Sequence, residues 1–246
     1  MVEQITLSGI VLSAMPIGEY DKRLVILTKE RGKITAFARG ARRQHSPYLA
    51  GSQPMTFGEF TVYQGRNAYT VSGIRVTKYF SEAVKDFEKM SYGMYFLEIA
   101  DYYGREGLEA SDSLNLLYVS MMALTNEAIP DRLIRVIYEL KSLVINGEYP
   151  DFFNCWHCGK REELNFFDRR NTKMVCNNCC DGNSNMYLHI DNSTLYAIQY
   201  IITSGLSKLY TFSVKEEVLE EMEQIIEPIF SKTVDREFKS LEWLKG

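Results

Sequence analysis

Arg23-Leu24-Val25-Ile26-Leu27-Thr28-Lys29-Glu30-Arg31-Gly32-Lys33-Ile34-Thr35-Ala36-Phe37-Ala38-Arg39 is the stretch on which the fold turns. Residues Arg23 to Thr28 read as one largely apolar strand. Lys33 to Arg39 reads as another, with Ile34, Ala36 and Ala38 on one side. Lys29-Glu30-Arg31-Gly32 between them makes a hairpin turn closed by glycine. Upstream, Gln4 to Ala14 alternates, with Ile5, Leu7 and Val11 on one face. Downstream, Met55 to Tyr63 and Ala68 to Val76 form a second hairpin around Gln64-Gly65-Arg66-Asn67. Three strands in a meander and two in a hairpin suit a small closed barrel of the OB type, although an SH3-like barrel shares the count and spacing. The irregular stretch Gly40 to Pro54 lies between the third and fourth strands, where an OB barrel often carries an extra helix or loop.

The charge is divided as sharply as the strand pattern. The whole chain of 246 residues carries a net −4, but residues 1–80 hold 11 Lys and Arg against 5 Asp and Glu. The remainder holds 17 against 27, so a basic head precedes an acidic body. That asymmetry points to a polyanionic partner for the head. Lys22, Arg23, Lys29, Arg31, Lys33, Arg39, Arg42 and Arg43 crowd into 22 residues, and Lys33, Thr35, Phe37 and Arg39 share the face opposite the apolar one. Cations for phosphate and a ring for base stacking suit a nucleic-acid surface. A strand edge kept charged against aggregation would also carry such residues.

From about Ser81 the apolar residues recur at helical spacing. Ser81 to Tyr103 places Ala83, Phe87, Met90, Met94, Leu97 and Ala100 near one face and predicts one long helix ended by Gly104. Tyr92, Tyr95, Phe96, Tyr102 and Tyr103 exceed what a single core face needs, so part of this helix is expected against the barrel. Ser113 to Asn126 is a second helix, and Pro130 opens a third as its first residue, with Asn146-Gly147 as the stop. Ser193 to Thr203, Lys215 to Phe230 and a short Asp235 to Leu244 complete the helical set. Glu98 and Asp101 read as exposed helix positions.

Four cysteines interrupt this helical body. Cys155 and Cys158 form one Cys-x2-Cys knuckle, Cys176 and Cys179 a second, with seventeen residues between them. Two thiolates from each tight turn complete a tetrahedron around Zn2+, and four thiolates leave no open coordination position, so one structural zinc per chain is expected. Leu164 to Phe167 and Met174-Val175 read as two short strands around the turn Asp168 to Thr172. Such a ribbon is too small to hold itself without metal. Cys180 and His157 fall outside the pattern and are minor alternatives as ligands.

Other chemistry is sparse. There is no Walker loop, no Gly-x-Gly-x-x-Gly and no Gly-x-Ser-x-Gly, and His45, His157 and His189 join no catalytic constellation, so a non-enzymatic protein is expected. No apolar run approaches a membrane span. The first ten residues include Glu3 and lack a basic n-region, so no signal peptide is read there and a reducing cytoplasm is expected.

The stretch Gly18 to Ile34, followed by Ala38-Arg39-Gly40-Ala41-Arg42, resembles the N-terminal domain of the bacterial recombination mediator family RecO. The order of parts is similar too: barrel, helical body, a four-cysteine insert after Pro150 and a closing Phe238-Lys239-Ser240-Leu241. The resemblance implies a DNA-repair mediator that binds single- and double-stranded DNA and anneals complementary strands. It also implies cooperation with RecR to load RecA on strands coated by single-stranded-DNA-binding protein, whose C-terminal tail it contacts, and a cytoplasmic, nucleoid-associated location. The expected architecture is α+β: an OB-fold domain at 1–80, then a helical domain at 81–246 with the zinc ribbon at about 150–185. The DNA-binding set is Lys22, Arg23, Arg31, Lys33, Phe37, Arg39, Arg42 and Arg43. The competing reading is a zinc-ribbon interaction module of the transcription or translation machinery.

Overall fold

A computed structural model describes residues 3–66, 68–83, 86–182 and 186–244. Five strands come first: β1 (Gln4–Ile17), β2 (Asp21–Thr28), β3 (Gly32–Ala38), β4 (Thr56–Gln64) and β5 (Tyr69–Tyr79). They close into a barrel in the order β1-β2-β3-β5-β4, with β4 returning to β1. All pairings are antiparallel except the short β3–β5 closure. This is the OB arrangement, and the SH3-like alternative falls away. Leu7, Val11, Leu24, Ile26, Ile34, Ala36, Phe60, Val62 and Val71 fill the interior. Along β3 and most of β4 they alternate with half-buried residues, whereas Gly9 to Leu12 of β1 and Ile26 to Thr28 of β2 are buried throughout. The stretch between β3 and β4 is a series of turns, tied to the barrel where Tyr48 Oη donates to Ser72 O at 3.0 Å. Asn67 of the expected β4–β5 turn lies outside the described residues.

Behind the barrel come α1 (Phe80–Ala83), α2 (Phe87–Tyr103) and α3 (Ser111–Leu124). The single helix expected over 81–103 is therefore two, with residues 84 and 85 outside the described set. Asp86 starts the second, its side chain accepting from Lys89 N at 2.7 Å. Tyr92, Tyr95, Phe96, Leu97 and Ile99 are all buried, so α2 hides most of its circumference and packs against both β1 and α3. The surplus of aromatic residues on this helix has that explanation. A final helix, α7 (Lys239–Leu244), returns to α2. Glu98 accepts from Ser240 Oγ at 2.8 Å, and Phe238 meets Tyr95 edge to face at 5.3 Å. Glu98 and Asp101 are thus half-buried partners rather than exposed positions, Asp101 pairing with Lys33.

Two compact units result: Met1–Asn126 with Phe238–Gly246, and Glu127–Glu237. The second unit holds α4 (Asp131–Ile145), a small sheet of β6 (Phe166–Asp168), β7 (Lys173–Val175) and β8 (Tyr187–His189), then α5 (Asn192–Thr203) and α6 (Glu216–Thr233). Pro130 has ψ 130 and stands just outside α4 as its cap residue, one position earlier than expected. Helices α4, α5 and α6 pack on one another, and Arg132 of α4 pairs with Glu216 and Glu223 of α6. Buried Lys141 donates to the carbonyls of Ile201, Ile202 and Ser204, closing the C-terminal end of α5. The sheet order is β7-β6-β8, so the ribbon has a third strand that the sequence reading did not include. No helix among the described residues is long and apolar enough to cross a membrane.

The tip of the β2–β3 hairpin is strapped down by the segment after α2. Lys33 N donates to Arg105 O at 3.0 Å, Gly107 N to Arg31 O at 2.9 Å and Ala110 N to Lys29 O at 2.9 Å. Gly32 sits under that strap with φ +63, and a Cβ there would lie 2.0 Å from Arg105 O. Gly32→Ala is expected to cost roughly 2 kcal/mol or more. Gly205→Ala, which meets open space, should stay within about 0.5 kcal/mol of the parent. Denaturant midpoints of the two variants check the pair.

Candidate nucleic-acid interface and four-cysteine centre

Strand alternation sorts the cations of the barrel. Leu24 and Ile26 point inward, and Lys22 is in phase with them. It is buried at 8% exposure, and its Nζ donates to Ser52 O at 3.2 Å and Ser52 Oγ at 3.1 Å. Burial pushes its ammonium below the usual lysine range, and the charge of Arg42 adds to that. Lys22 was expected in the DNA-binding set; the inward phase of β2 removes it from the surface. Lys33 faces outward but is half-buried, its Nζ 3.2 Å from Asp101 Oδ1 and donating to Asp101 O at 2.6 Å. Arg31 is exposed, but at the strapped end of the hairpin, away from Arg39 by the full length of β3.

The other end of the barrel gathers the rest. Arg23 lies opposite Met15 on β1 and Phe37 on β3, and Phe37 lies opposite Thr70 on β5. This outward row places a half-exposed ring beside an exposed guanidinium, and Arg23 Nη2 reaches Met15 Sδ at 3.2 Å. Arg39, Arg42 and Arg43 follow β3, all exposed. The loop that carries them is pinned to the β1–β2 turn. Gly40 N donates to Asp21 Oδ1 at 2.7 Å, and Arg42 N to Tyr20 O at 2.8 Å. Arg42 Nη1 donates to Gly18 O at 3.3 Å and Glu19 O at 3.2 Å. The Arg43 guanidinium stands 5.2 Å over the Tyr20 ring. Arg42 therefore doubles as a clamp, which leaves Arg23, Arg39 and Arg43 as the least committed cations. Tyr20 and Met15, 42% and 51% exposed, are surface residues the sequence reading missed. Tyr20 adjoins the charged run, but its exposure depends on a loop pairing that no periodicity reveals.

The four cysteines meet as their spacing requires. Asp151 starts the first knuckle by accepting from Phe153 N and Asn154 Nδ2. Gly159, at φ +73, closes it with a 2.8 Å bond to Cys155 O. The second knuckle turns on Cys179 N and Cys180 N, both donating to Cys176 O. The Sγ atoms of Cys155, Cys158, Cys176 and Cys179 all lie within 4.8 Å of one another, and Cys180 is not among them. The 3.7 Å between Cys158 Sγ and Cys176 Sγ is far beyond a disulfide and close to the roughly 3.8 Å edge of a tetrahedron with zinc–sulfur bonds of about 2.3 Å. Burial resists ionisation of Cys155, but the backbone N–H groups of Cys176, Cys158 and His157 outweigh it and bring the thiol to about 6. Cys179, tied by side-chain hydrogen bonds to Cys158 and Cys176, is pushed up to about 12. A cluster holding both thiolate and shared protons can take a divalent cation by releasing those protons.

Comparison with known proteins fits this architecture part for part. Residues 1–80 match the family model "Recombination protein O N terminal", and residues 84–242 match "Recombination protein O C terminal". The chain belongs to the RecO family. A DNA repair protein RecO from Acetivibrio thermocellus is 30% identical over 240 residues, covering 97% of this chain and 95% of that protein. One from Thermoanaerobacter sp. is 31% identical over 243 residues, covering 97% and 96%. One from Clostridium perfringens is 29% identical over 238 residues, covering 96% of each. The barrel coincides with the RecO N-terminal match, and the four-cysteine insert lies inside the C-terminal one. This is a RecO-family DNA repair protein. Asp21→Ala should cost about 1–2 kcal/mol, since it removes a charge-assisted bond at the loop junction. Hydrogen exchange should quicken at residues 39–43 and remain unchanged in the four-cysteine ribbon.

Proposed function

We propose that the arginine end of the barrel binds the phosphate backbones of single- and double-stranded DNA. The observation that carries this reading is the pinned loop with Arg39, Arg42 and Arg43 exposed beside the outward row Met15–Arg23–Phe37. Arginine keeps its charge at every physiological pH and can grip a phosphate through two N–H groups at once. Holding the loop in place removes part of the ordering cost of binding. Phe37 offers a ring on which an unpaired base can stack. Annealing then needs no bond chemistry: neutralising two backbones lowers the repulsion that keeps complementary strands apart. In keeping with the family, the protein would act in the cytoplasm, at the nucleoid. It would contact the tail of single-stranded-DNA-binding protein and hand strands to RecA together with RecR. The match to both halves of a recombination protein favours this over a docking module of transcription or translation.

Arg39→Ala with Arg43→Ala tests the proposal, because neither residue clamps a backbone carbonyl as Arg42 does. Binding to both single and double strands should weaken. The log–log salt slope for single strands should flatten by about 1 to 1.5, at roughly 0.7 per lost phosphate contact. Strand annealing should slow and sequence preference should stay slight. A folded double variant with parental affinity, slope and annealing rate would refute the barrel as the DNA surface.

The four-cysteine centre would hold one structural Zn2+ through Cys155, Cys158, Cys176 and Cys179. The support is the convergence of four thiols at tetrahedral spacing, with no fifth position for substrate. The ion would neutralise thiolates and cross-link the two knuckles. Cys158→Ser is expected to lose most bound metal by elemental analysis and to lower the stability of the second unit. Cys180→Ser should keep a full equivalent of zinc. Metal loss on Cys180→Ser would overturn the ligand assignment.

A further inference from the structure

The ribbon carries an exposed aromatic ledge that neither the metal centre nor the barrel accounts for. Trp156 is 50% exposed, and His157 lies against it with ring centroids 4.7 Å apart. Both sit inside the first knuckle, between Cys155 and Cys158. Trp156 N donates to Met174 O at 3.0 Å, so the knuckle runs along the outer edge of β7, next to Lys173. An indole that is half in water and whose backbone N–H is fixed to a strand edge needs little further ordering to make a contact.

Cations border the same edge. The β6–β7 turn is built around Asp168, which is buried and accepts from Arg170 N, Asn171 N and Asn171 Nδ2 at 2.8–2.9 Å. Its charge is thereby absorbed within the turn. The turn presents exposed Arg170, and Lys232 joins it by donating to Arg170 O at 3.1 Å. Among the described residues, Arg170, Lys173 and Lys232 have no ion-pair partner, whereas Lys160 of the same ribbon is paired with Glu163. A flat ring beside one position of β7, with cations on the adjacent residue of that strand and at the turn before it, suits an unpaired base followed by its phosphates. A duplex keeps its base faces stacked and cannot use the ring.

We propose that the Trp156–His157 ledge, flanked by Arg170, Lys173 and Lys232, is a second contact for single-stranded DNA, with a base stacked on Trp156. The proposal rests on the reading that this chain binds DNA, but not on the cations of the barrel. The chain has two tryptophans, so Trp243→Phe in the full-length, metal-loaded protein leaves Trp156 as the only indole. Titration with oligothymidylate should quench its fluorescence in step with binding. An abasic deoxyribose-phosphate oligomer should bind without quenching. Trp156→Ala should weaken single-strand binding about tenfold, leave duplex binding unchanged and retain its metal; Trp156→Phe should restore most of the loss.

The barrel double variant separates the two readings. Quenching that persists at higher DNA concentration in that variant supports the ledge by itself. If the barrel variant binds like the parent while Trp156 still quenches, the barrel reading fails and this one stands. If the parent binds oligothymidylate, Trp156 fluorescence does not change and Trp156→Ala has parental affinity, the ledge proposal is overturned. Loss of a protein contact in Trp156→Ala, with strand binding intact, overturns it equally.

Discussion

A closed five-stranded barrel admits only every second side chain to its surface, and that constraint decides which of the clustered cations can meet a partner. The interior is narrow and filled by Leu24, Ile26, Ile34, Ala36 and Phe60. A charged residue in the inward phase must reach the rim and find oxygen atoms, as Lys22 does at Ser52. Residues in the outward phase keep their charge in water unless a neighbouring element claims them. Asp101 of α2 claims Lys33, while the strap after α2 bonds only the backbone of the turn and leaves Arg31 exposed at that end. At the other end Arg39, Arg42 and Arg43 form a compact group because two loops are locked together there.

Much of this was legible from the chain alone. All five strands appear within a few residues of their expected bounds, since alternation and turn residues act locally. The phase of Lys22 was legible too: it stands two residues before Leu24 and four before Ile26, on the same side of β2. Reading the run as charge alone concealed it. The break before Phe87 was signalled by Asp86, a good cap residue, but the continuous helical spacing around it suggested one element. Glu98 and Asp101 could not be placed from sequence. Their partners Ser240 and Lys33 are 142 and 68 residues away, and nothing in helical periodicity encodes a contact at that separation.

The four-cysteine ribbon was readable in its ligands and less so in its support. Spacing alone brought the thiols together. The third strand, Tyr187–His189, is only three residues long and is defined by its pairing with β6, not by its own pattern. With it, the ribbon gains apolar residues of its own: Phe152 stacks parallel to Phe167 at 6.4 Å, and Leu164, Met174 and Val175 are buried. Thiol chemistry and a small apolar core therefore share the work of ordering this segment.

The return of Phe238–Leu244 to α2 bears on how the chain matures. Glu98 and Tyr95 lie in the first half of the sequence, while Ser240 and Phe238 emerge from the ribosome after the whole second unit. During synthesis the barrel and α2 can collapse early, but the face that α7 covers stays open until the last helix arrives. A nascent chain thus spends the time needed to make more than a hundred further residues with apolar side chains of α2 uncovered. Holding such a surface against aggregation is the task of cellular chaperones, and the late closing helix makes this first unit dependent on the completion of the rest.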